Sequence, residues 1–184
     1  MRVITGTCRG LRLKTLDGLT TRPTADRVKE GMFSAIQFEI EGRKALDLFA
    51  GSGQLGIEAL SRGAAHAVFI DASAEAVRVV KENLQHTRLT QTSTLLQCDS
   101  LVYLDRCREK FDLVFLDPPY ESGLLNASLK KISEIDILSE SGIIICEYAM
   151  TLPPRIPEGL RVDREYRYGR IGVALLRRKE KRTE

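Results

Sequence analysis

The sequence predicts an α/β fold in which helices cover both faces of a mostly parallel sheet. Short runs of Val, Ile, Leu and Phe alternate with helical patterns through the middle of the chain, as expected when strands are buried on both faces. The length of 184 residues and the hydrophobic content of 43% suit one globular domain with a small appendage. We find no internal repeat.

The core of this fold is assigned to five strands and three helices. The predicted strands are 45–49, 67–71, 94–98, 113–117 and 142–147. The predicted helices are 54–62, which stops at Gly63, 74–85, with Ser73 as its N-cap, and 124–133.

The two ends of the chain follow different patterns. Residues 161–168 and 171–177 flank a Gly-containing turn, which predicts a hairpin that adds antiparallel strands to a seven-stranded sheet. Residues 2–5 and 11–15 predict a small hairpin, and a helix begins at Thr24. We divide the chain into an N-terminal appendage, 1–42, which we call the head, and a main domain, 43–184.

Composition excludes several classes of protein. No apolar run is long enough to cross a bilayer, and the first residues lack the apolar stretch of a secretory signal. The four cysteines are scattered without a CxxC pair, so we expect reduced and mostly buried thiols and no metal. We therefore predict a cytoplasmic protein, a monomer, with no membrane partner.

Charge is distributed unevenly along the chain. Residues 1–30 carry a net charge of +4 and residues 161–184 a net charge of +5, whereas residues 31–160 carry −6. Basic ends on an acidic body favour a polyanionic partner. Two solvated termini are the alternative explanation.

A glycine-rich segment follows the first predicted strand. Gly51, Gly53 and Gly56 form GxGxxG between a strand and a helix, the context in which this motif binds an adenosine-containing cofactor. Asp71 ends the next strand and is placed to accept both ribose hydroxyls. An ordinary strand–helix turn is the alternative.

Two further acids bear on the identity of the cofactor. Asp47 lies just before the glycines, where a carboxylate suits the ammonium of a methionine moiety better than a pyrophosphate. Asp99, after the third strand, is placed to accept from an adenine amine, or to cap a helix instead. These features favour S-adenosylmethionine, with a nicotinamide cofactor as the alternative.

The sequence Asp117-Pro118-Pro119-Tyr120 ends the fourth strand. Two prolines cannot continue a sheet ladder, so Asp117 is expected at the carboxyl edge of the sheet, where such folds bind ligands. Asp117 and the carbonyl of Pro118 can accept the two N–H groups of an exocyclic base amine and aim its lone pair. Tyr120 can stack on a base swung out of its helix or loop. A plain strand-ending turn is the alternative.

Taken together, these motifs resemble the class I amino-methyltransferases, which have a Rossmann-like fold. The order Asp-Leu-Phe-Ala-Gly-Ser-Gly, Asp71, Asp99 and Asp-Pro-Pro-Tyr carries the resemblance, and Asp71-Ala72 departs from it, since we expected Glu followed by a basic residue. The opening Met-Arg-Val-Ile-Thr-Gly and the segment 22–33, which begins Arg-Pro-Thr, are similar to the bacterial small-subunit rRNA guanine-N2 methyltransferases, often called RsmD.

This resemblance implies methylation of a guanine N2 amine in 16S rRNA during ribosome assembly, with S-adenosylmethionine as cofactor. The residues assigned to the cofactor are Asp47, Phe49, Gly51, Ser52, Gly53, Asp71, Ala72, Asp99 and Ser100. The residues assigned to catalysis are Asp117, Pro118 and Tyr120, and those assigned to RNA are Arg9, Arg22, Thr24 and Arg27.

Three other functions remain open at this stage. A DNA adenine-N6 methyltransferase shares the Asp-Pro-Pro-Tyr motif, although the chain is short for a separate target-recognition domain. A nicotinamide-dependent oxidoreductase and a non-enzymatic RNA-binding module explain fewer of the motifs. Arg27 and Lys29 have Asp26 and Glu30 as neighbours, so they are alternatively solvated helix residues.

Overall fold

The structure is a computed structural model that describes residues 1–16 and 23–179. Seven strands form one sheet: β1 (Lys44–Asp47), β2 (His66–Asp71), β3 (Ser93–Gln97), β4 (Phe111–Leu116), β5 (Leu138–Ala149), β6 (Leu160–Tyr168) and β7 (Ile171–Arg178). Their order across the sheet is β3-β2-β1-β4-β5-β7-β6.

Strands β1 to β5 are parallel, and β7 pairs antiparallel with both β5 and β6. This arrangement confirms the predicted mostly parallel sheet with its antiparallel C-terminal hairpin. The order of the strands reverses between β1 and β4, and such a reversal opens a crevice at the carboxyl ends of the strands.

Helices cover both faces of the sheet. The α-helices are α1 (Pro23–Ala35), α2 (Gln54–Ser61), α3 (Ala74–His86), α4 (Ser100–Arg106) and α5 (Leu124–Glu134). Strand side chains alternate between two buried clusters, since Leu113 and Phe115 pack with α1, α2 and α3, whereas Val114 and Leu116 pack with α4 and α5. None of the helices in the described ranges is both long and apolar enough to cross a bilayer.

Sequence and structure differ at three elements. The predicted head hairpin is limited to one isolated bridge between Arg2 and Arg12. The ladder does not continue because the backbone N–H groups of Ile4 and Thr5 bind the Glu58 carboxylate and not the facing arm. Strand β5 extends beyond the predicted 142–147, because Leu138 also pairs with β4 across an irregular register. Helix α4 was not predicted, because its seven residues are too few for a clear helical period.

A buried ionic cluster fixes the head to the main domain. Glu58 of α2 is fully buried and accepts hydrogen bonds from the backbone N–H groups of Ile4 (2.8 Å) and Thr5 (3.0 Å) and from Arg62 (2.8 Å). Lys29 lies 3.6 Å from the same carboxylate and donates to the carbonyl of Arg2 at 2.7 Å. The cluster aligns the first residues of the chain against the helix that follows the glycine-rich loop.

Candidate active site

A cleft of about 620 Å³ opens at the carboxyl edge of the sheet where the strand order reverses. The ends of β1, β2 and β4 meet here, because Asp47 pairs in register with both Phe69 and Phe115. The polar residues that follow each of these strands therefore converge on one space. Its size is within the usual range for sites that bind small molecules.

The glycine-rich loop forms one wall of the cleft. Gly53 adopts a positive φ of 79° at the N-cap of α2, a conformation that favours glycine. Gly56 lies against Phe69, and a Cβ at this position would lie 2.3 Å from the ring. The glycines therefore serve both the turn and the packing of α2 on β2, as the motif requires.

Asp71 holds this loop in place. Its carboxylate accepts from the backbone N–H of Gly51 at 2.8 Å and from that of Ser73 at 2.9 Å. The side chain lines the cleft and is only partly buried. Asp71 thus joins the ends of β1 and β2 and still presents an accessible carboxylate to a ligand.

Asp47 is a buried carboxylate in the floor of the cleft. It accepts from the N–H of Gly56 at 3.0 Å and is 1% exposed. Burial raises its pKa to about 7, with a further increase from the negative charge of Asp71, and the hydrogen bond from Gly56 opposes this rise. A cationic group placed in the cleft would favour the ionised form of Asp47.

Asp99 is the N-cap of α4. Its Oδ1 accepts from the N–H groups of Leu101 at 2.9 Å and Val102 at 3.0 Å. The alternative role of Asp99, as a helix N-cap, is therefore present in the structure. Asp99 and Ser100 also line the cleft, so the cofactor role of Asp99 stays a prediction beside its capping role.

Asp117 follows β4 and faces the cleft. Within the described part of the chain its side chain makes no hydrogen bond and no ion pair, and burial raises its pKa well above the ordinary value. The negative charges of Glu147 and Asp47 raise this pKa further. Asp117 is half-buried, and a partly desolvated carboxylate without a partner is costly; such groups are concentrated at functional sites.

Tyr120 lies beside Asp117 at the mouth of the cleft. The residue is 41% exposed, and its hydroxyl donates to Oε1 of Glu147 at 2.6 Å. Pro118 is buried, so the turn after β4 is firmly packed. The site thus has a fixed carboxylate next to an accessible aromatic face.

Sequence reasoning missed three kinds of residue here. Glu147 lies beside Tyr120 because β5 is the neighbour of β4 in the sheet. The only sequence feature that could have indicated it is its place as the last residue of the predicted strand 142–147. Met1, Thr15 and Leu16 of the head line the cleft, which no motif indicated. Gln54 lines it too, and its buried Oε1 has no hydrogen-bond partner among the described residues.

These groups fit a cofactor with a cationic amino-acid end and an adenosine end. Asp47 and Gln54 Oε1 are acceptors for an ammonium in the interior of the cleft. Asp71 and Asp99 are carboxylates farther along the sheet edge, at the ends of β2 and β3. The residues present therefore suit S-adenosylmethionine.

The structure brings most of the predicted site residues together. The cleft is lined by Asp47, Phe49, Gly51, Ser52, Asp71, Ala72, Asp99, Ser100, Asp117, Pro118 and Tyr120. Gly53 is not among the residues that line the cleft, and a Cβ at this position would lie 3.2 Å from Val80 and 3.3 Å from Ile57. Arg9 and Arg27 are exposed and lie outside the cleft. Arg22 and the side chain of Thr24 lie outside the described part of the structure.

Comparison with known proteins gives consistent matches over the whole chain. Residues 1–177 match the family described as "Conserved hypothetical protein 95". The Bacillus subtilis protein named "Putative rRNA methyltransferase YlbH" is 41% identical over 184 residues, which cover 97% of this chain and 100% of that protein. "Ribosomal RNA small subunit methyltransferase D" of Escherichia coli is 31% identical over 179 residues, covering 97% and 90% of the two chains.

A solved structure matches equally well. The protein described as "Putative methyltransferase yhhF from Escherichia coli" superposes with a TM-score of 0.87 at 31% identity. The match covers 98% of this chain and 99% of that structure, so it includes the head as well as the sheet.

Proposed function

The chain belongs to the "Conserved hypothetical protein 95" family, and on that premise we propose that it is an rRNA methyltransferase that uses S-adenosylmethionine. We propose further that it methylates the N2 amine of a guanine in 16S rRNA during assembly of the small ribosomal subunit, as a cytoplasmic monomer. The relatives named for rRNA methylation support the first statement. The site geometry supports the choice of an exocyclic amine.

The observation that carries this proposal is the unpartnered carboxylate of Asp117. It lines the cofactor cleft together with Tyr120, and it has no competing hydrogen bond within the described residues. An exocyclic amine has two N–H groups, and a free acceptor is what such a group needs.

The cofactor would be held by the groups that line the cleft. Asp47 and Gln54 would bind the ammonium of the methionine part, Asp71 the ribose, and Asp99 with Ser100 the adenine end. When bound, S-adenosylmethionine supplies an electrophilic methyl group. The head would close this cleft from one side through Met1.

The work of Asp117 is to position the amine and then to take its proton. An aryl amine is a poor nucleophile because its lone pair is delocalised into the ring. Asp117 and the carbonyl of Pro118 accept its two N–H groups and turn the lone pair towards the methyl group, so positioning lowers the barrier. Once alkylated, the nitrogen is a strong acid, and the raised pKa of Asp117 makes this carboxylate a suitable proton acceptor.

RNA binding is assigned to the basic head. Arg9 and Arg27 are exposed, and Arg9 lies in a small hollow with Arg2 and Glu30. Such side chains bind phosphates and hold the RNA without reading its sequence. The head, 1–42, is therefore proposed as the RNA-contacting appendage of the main domain, 43–184, with Arg22 and Thr24 as further contacts.

The experiment is methylation of 16S rRNA with labelled S-adenosylmethionine. Purified protein is incubated with naked 16S rRNA and, separately, with small-subunit particles, both prepared from cells that lack the corresponding enzyme. Nucleoside analysis should then find N2-methylguanosine, and the faster substrate identifies the stage of assembly. N6-methyladenosine as the product would overturn the guanine assignment, and tight NAD binding without any methylation would overturn the whole proposal.

Two variants test the site within the same assay. Asp117→Asn should fold and bind cofactor, yet lose about a hundredfold to a thousandfold in single-turnover rate, the usual cost of one positioned contact. Asp105→Asn replaces an exposed carboxylate of α4 outside the cleft, so it should retain full activity. A wild-type rate for Asp117→Asn would mean that Asp-Pro-Pro-Tyr is only a turn.

A further inference from the structure

A second cavity, of about 300 Å³, lies beside the cofactor cleft. Pro118 and Tyr120 line both spaces, so the two spaces meet at these residues. Asp117 lines the cofactor cleft and Glu147 lines the second cavity, one on each side of this junction. The cavity is at the small end of the range for ligand sites and has the polar lining that a flat heterocycle needs.

Glu147 and Asp117 are neighbours in the sheet. Asp117 directly follows Leu116, and Glu147 directly follows Cys146. Leu116 and Cys146 are paired in the parallel register of β4 and β5. No described basic side chain forms an ion pair with either carboxylate, and the charge of Glu147 raises the pKa of Asp117. Two such acids side by side destabilise the fold, which is the usual mark of a binding site rather than of packing.

The carboxylate of Glu147 has only one hydrogen-bond partner within the described residues, the hydroxyl of Tyr120. That bond uses Oε1 and fixes the side chain, which leaves Oε2 free to accept from a ligand. The two acids thus offer neighbouring acceptors where the two spaces meet. A matching ligand must present adjacent donors.

We propose that the target base lies where the 300 Å³ cavity meets the cofactor cleft, and that Glu147 determines its identity by accepting the N1–H of guanine while Asp117 accepts from the N2 amine. This inference rests on the proposed function. Guanine has donors at both N1 and N2 on its Watson–Crick edge. Adenine has an acceptor at N1 next to its N6 amine, and cytosine has an acceptor at N3 next to its N4 amine, so a carboxylate at that position repels both.

The test uses a base that keeps the reacting amine and lacks the N1 hydrogen. 2,6-Diaminopurine has the same 2-amine as guanine and an acceptor at N1. RNA carrying either base at the mapped position is methylated under single-turnover conditions. The wild-type protein should favour guanine by about 100-fold or more, because a site built to bind an N–H rejects an analogue without it.

Glu147→Gln is the decisive variant. Its amide oxygen can still accept from Tyr120, and its NH₂ can donate to an N1 acceptor. The variant should therefore lose about 100-fold or more on guanine RNA and should discriminate less between the two bases. Tyr120→Phe is the comparison variant: it removes the hydroxyl that fixes Glu147 and keeps the carboxylate, so it should retain more of the discrimination than Glu147→Gln.

Each outcome is distinct. Equal rates on both bases for the wild-type protein would overturn the role of Glu147 without any variant, even if Glu147→Gln failed to fold. Unchanged discrimination in Glu147→Gln would show that Glu147 does not read the N1 position and would also overturn its role. A larger loss of discrimination in Tyr120→Phe than in Glu147→Gln would show that the tyrosine hydroxyl reads this position instead, and would overturn it too. Absence of guanine methylation by the wild-type protein would instead overturn the proposed function itself.

Discussion

Replacing Asp47 by Asn should change how the stability of the cofactor-free protein depends on pH. Burial raises the pKa of Asp47 from 3.8 to about 7. Between these two values the folded protein holds a proton at Asp47 that the unfolded chain has released. The stabilising contribution of protonated Asp47 to the free energy of unfolding is therefore complete below pH 3.8, and it is lost as the pH rises to about 7. Asn has no such proton.

The magnitude follows from the two pKa values. One pKa unit corresponds to about 1.36 kcal/mol, so Asp47 lowers the free energy of unfolding by about 4 kcal/mol between pH 4 and pH 8. Other carboxylates, such as Asp112 with its lowered pKa, act in the opposite direction. The difference between Asp47→Asn and the wild-type protein removes those shared contributions. It should shift in favour of the variant by about 4 kcal/mol across the same range.

Urea denaturation of both proteins without cofactor, at several pH values from 4 to 8, measures this difference. The free-energy cost of burying the Asn amide is independent of pH. It would shift the whole plot of the stability difference against pH and leave the slope of that plot unchanged. A difference that stays constant with pH would refute the reasoning, because Asp47 would then hold no proton in the folded state. If Asp47 binds the ammonium of the cofactor, the variant should also bind S-adenosylmethionine more weakly by calorimetry.

Three further predictions concern the cofactor, the RNA and the packing. Asp71→Ala should weaken S-adenosylmethionine binding by about 1 to 3 kcal/mol, the cost of unpaired polar groups, and an unchanged Kd in calorimetry would contradict its role. Arg27→Glu should weaken RNA binding and reduce its salt dependence while cofactor affinity stays constant; equal binding across a salt series would remove Arg27 from the interface. Gly56→Ala should destabilise the fold by about 1 to 3 kcal/mol, because the new Cβ would lie 2.3 Å from the buried ring of Phe69, and an unchanged urea midpoint would disprove this contact.

The regular part of the fold could be predicted from the sequence because its strands are buried on both faces. Each of the five core strands was placed to within a few residues, and Ser73 caps α3 as expected, accepting from the N–H of Ala76. The apolar side of α1, which includes Phe33, packs against Phe115 in β4 with ring centroids 5.5 Å apart. Hydrophobic periodicity indicates which side chains are buried, and the burial of apolar side chains is what stabilises these elements.

The site could be predicted only where its residues follow one another in a motif. The glycine loop and Asp-Pro-Pro-Tyr are local patterns, and both line the same cleft. Glu147 belongs to the site through the order of the strands, which no local pattern reveals. Asp99 caps α4, a helix that the periodicity did not indicate. An aspartate after a strand suits both a helix N-cap and a cofactor ligand, so the sequence alone did not separate these two roles.

The buried carboxylate of Glu58 has a consequence for the order in which the molecule opens. The amide hydrogens of Ile4 and Thr5 are bound by this side chain of α2, so both amides lose their partner when the head detaches from α2. Hydrogen exchange at these two amides therefore reports detachment of the head, separately from opening of the sheet. Because Met1 and Leu16 of the head line the cofactor cleft, that detachment would also open one side of the cleft to solvent. Exchange at Ile4 and Thr5 should slow when S-adenosylmethionine binds, which makes them natural probes of ligand entry.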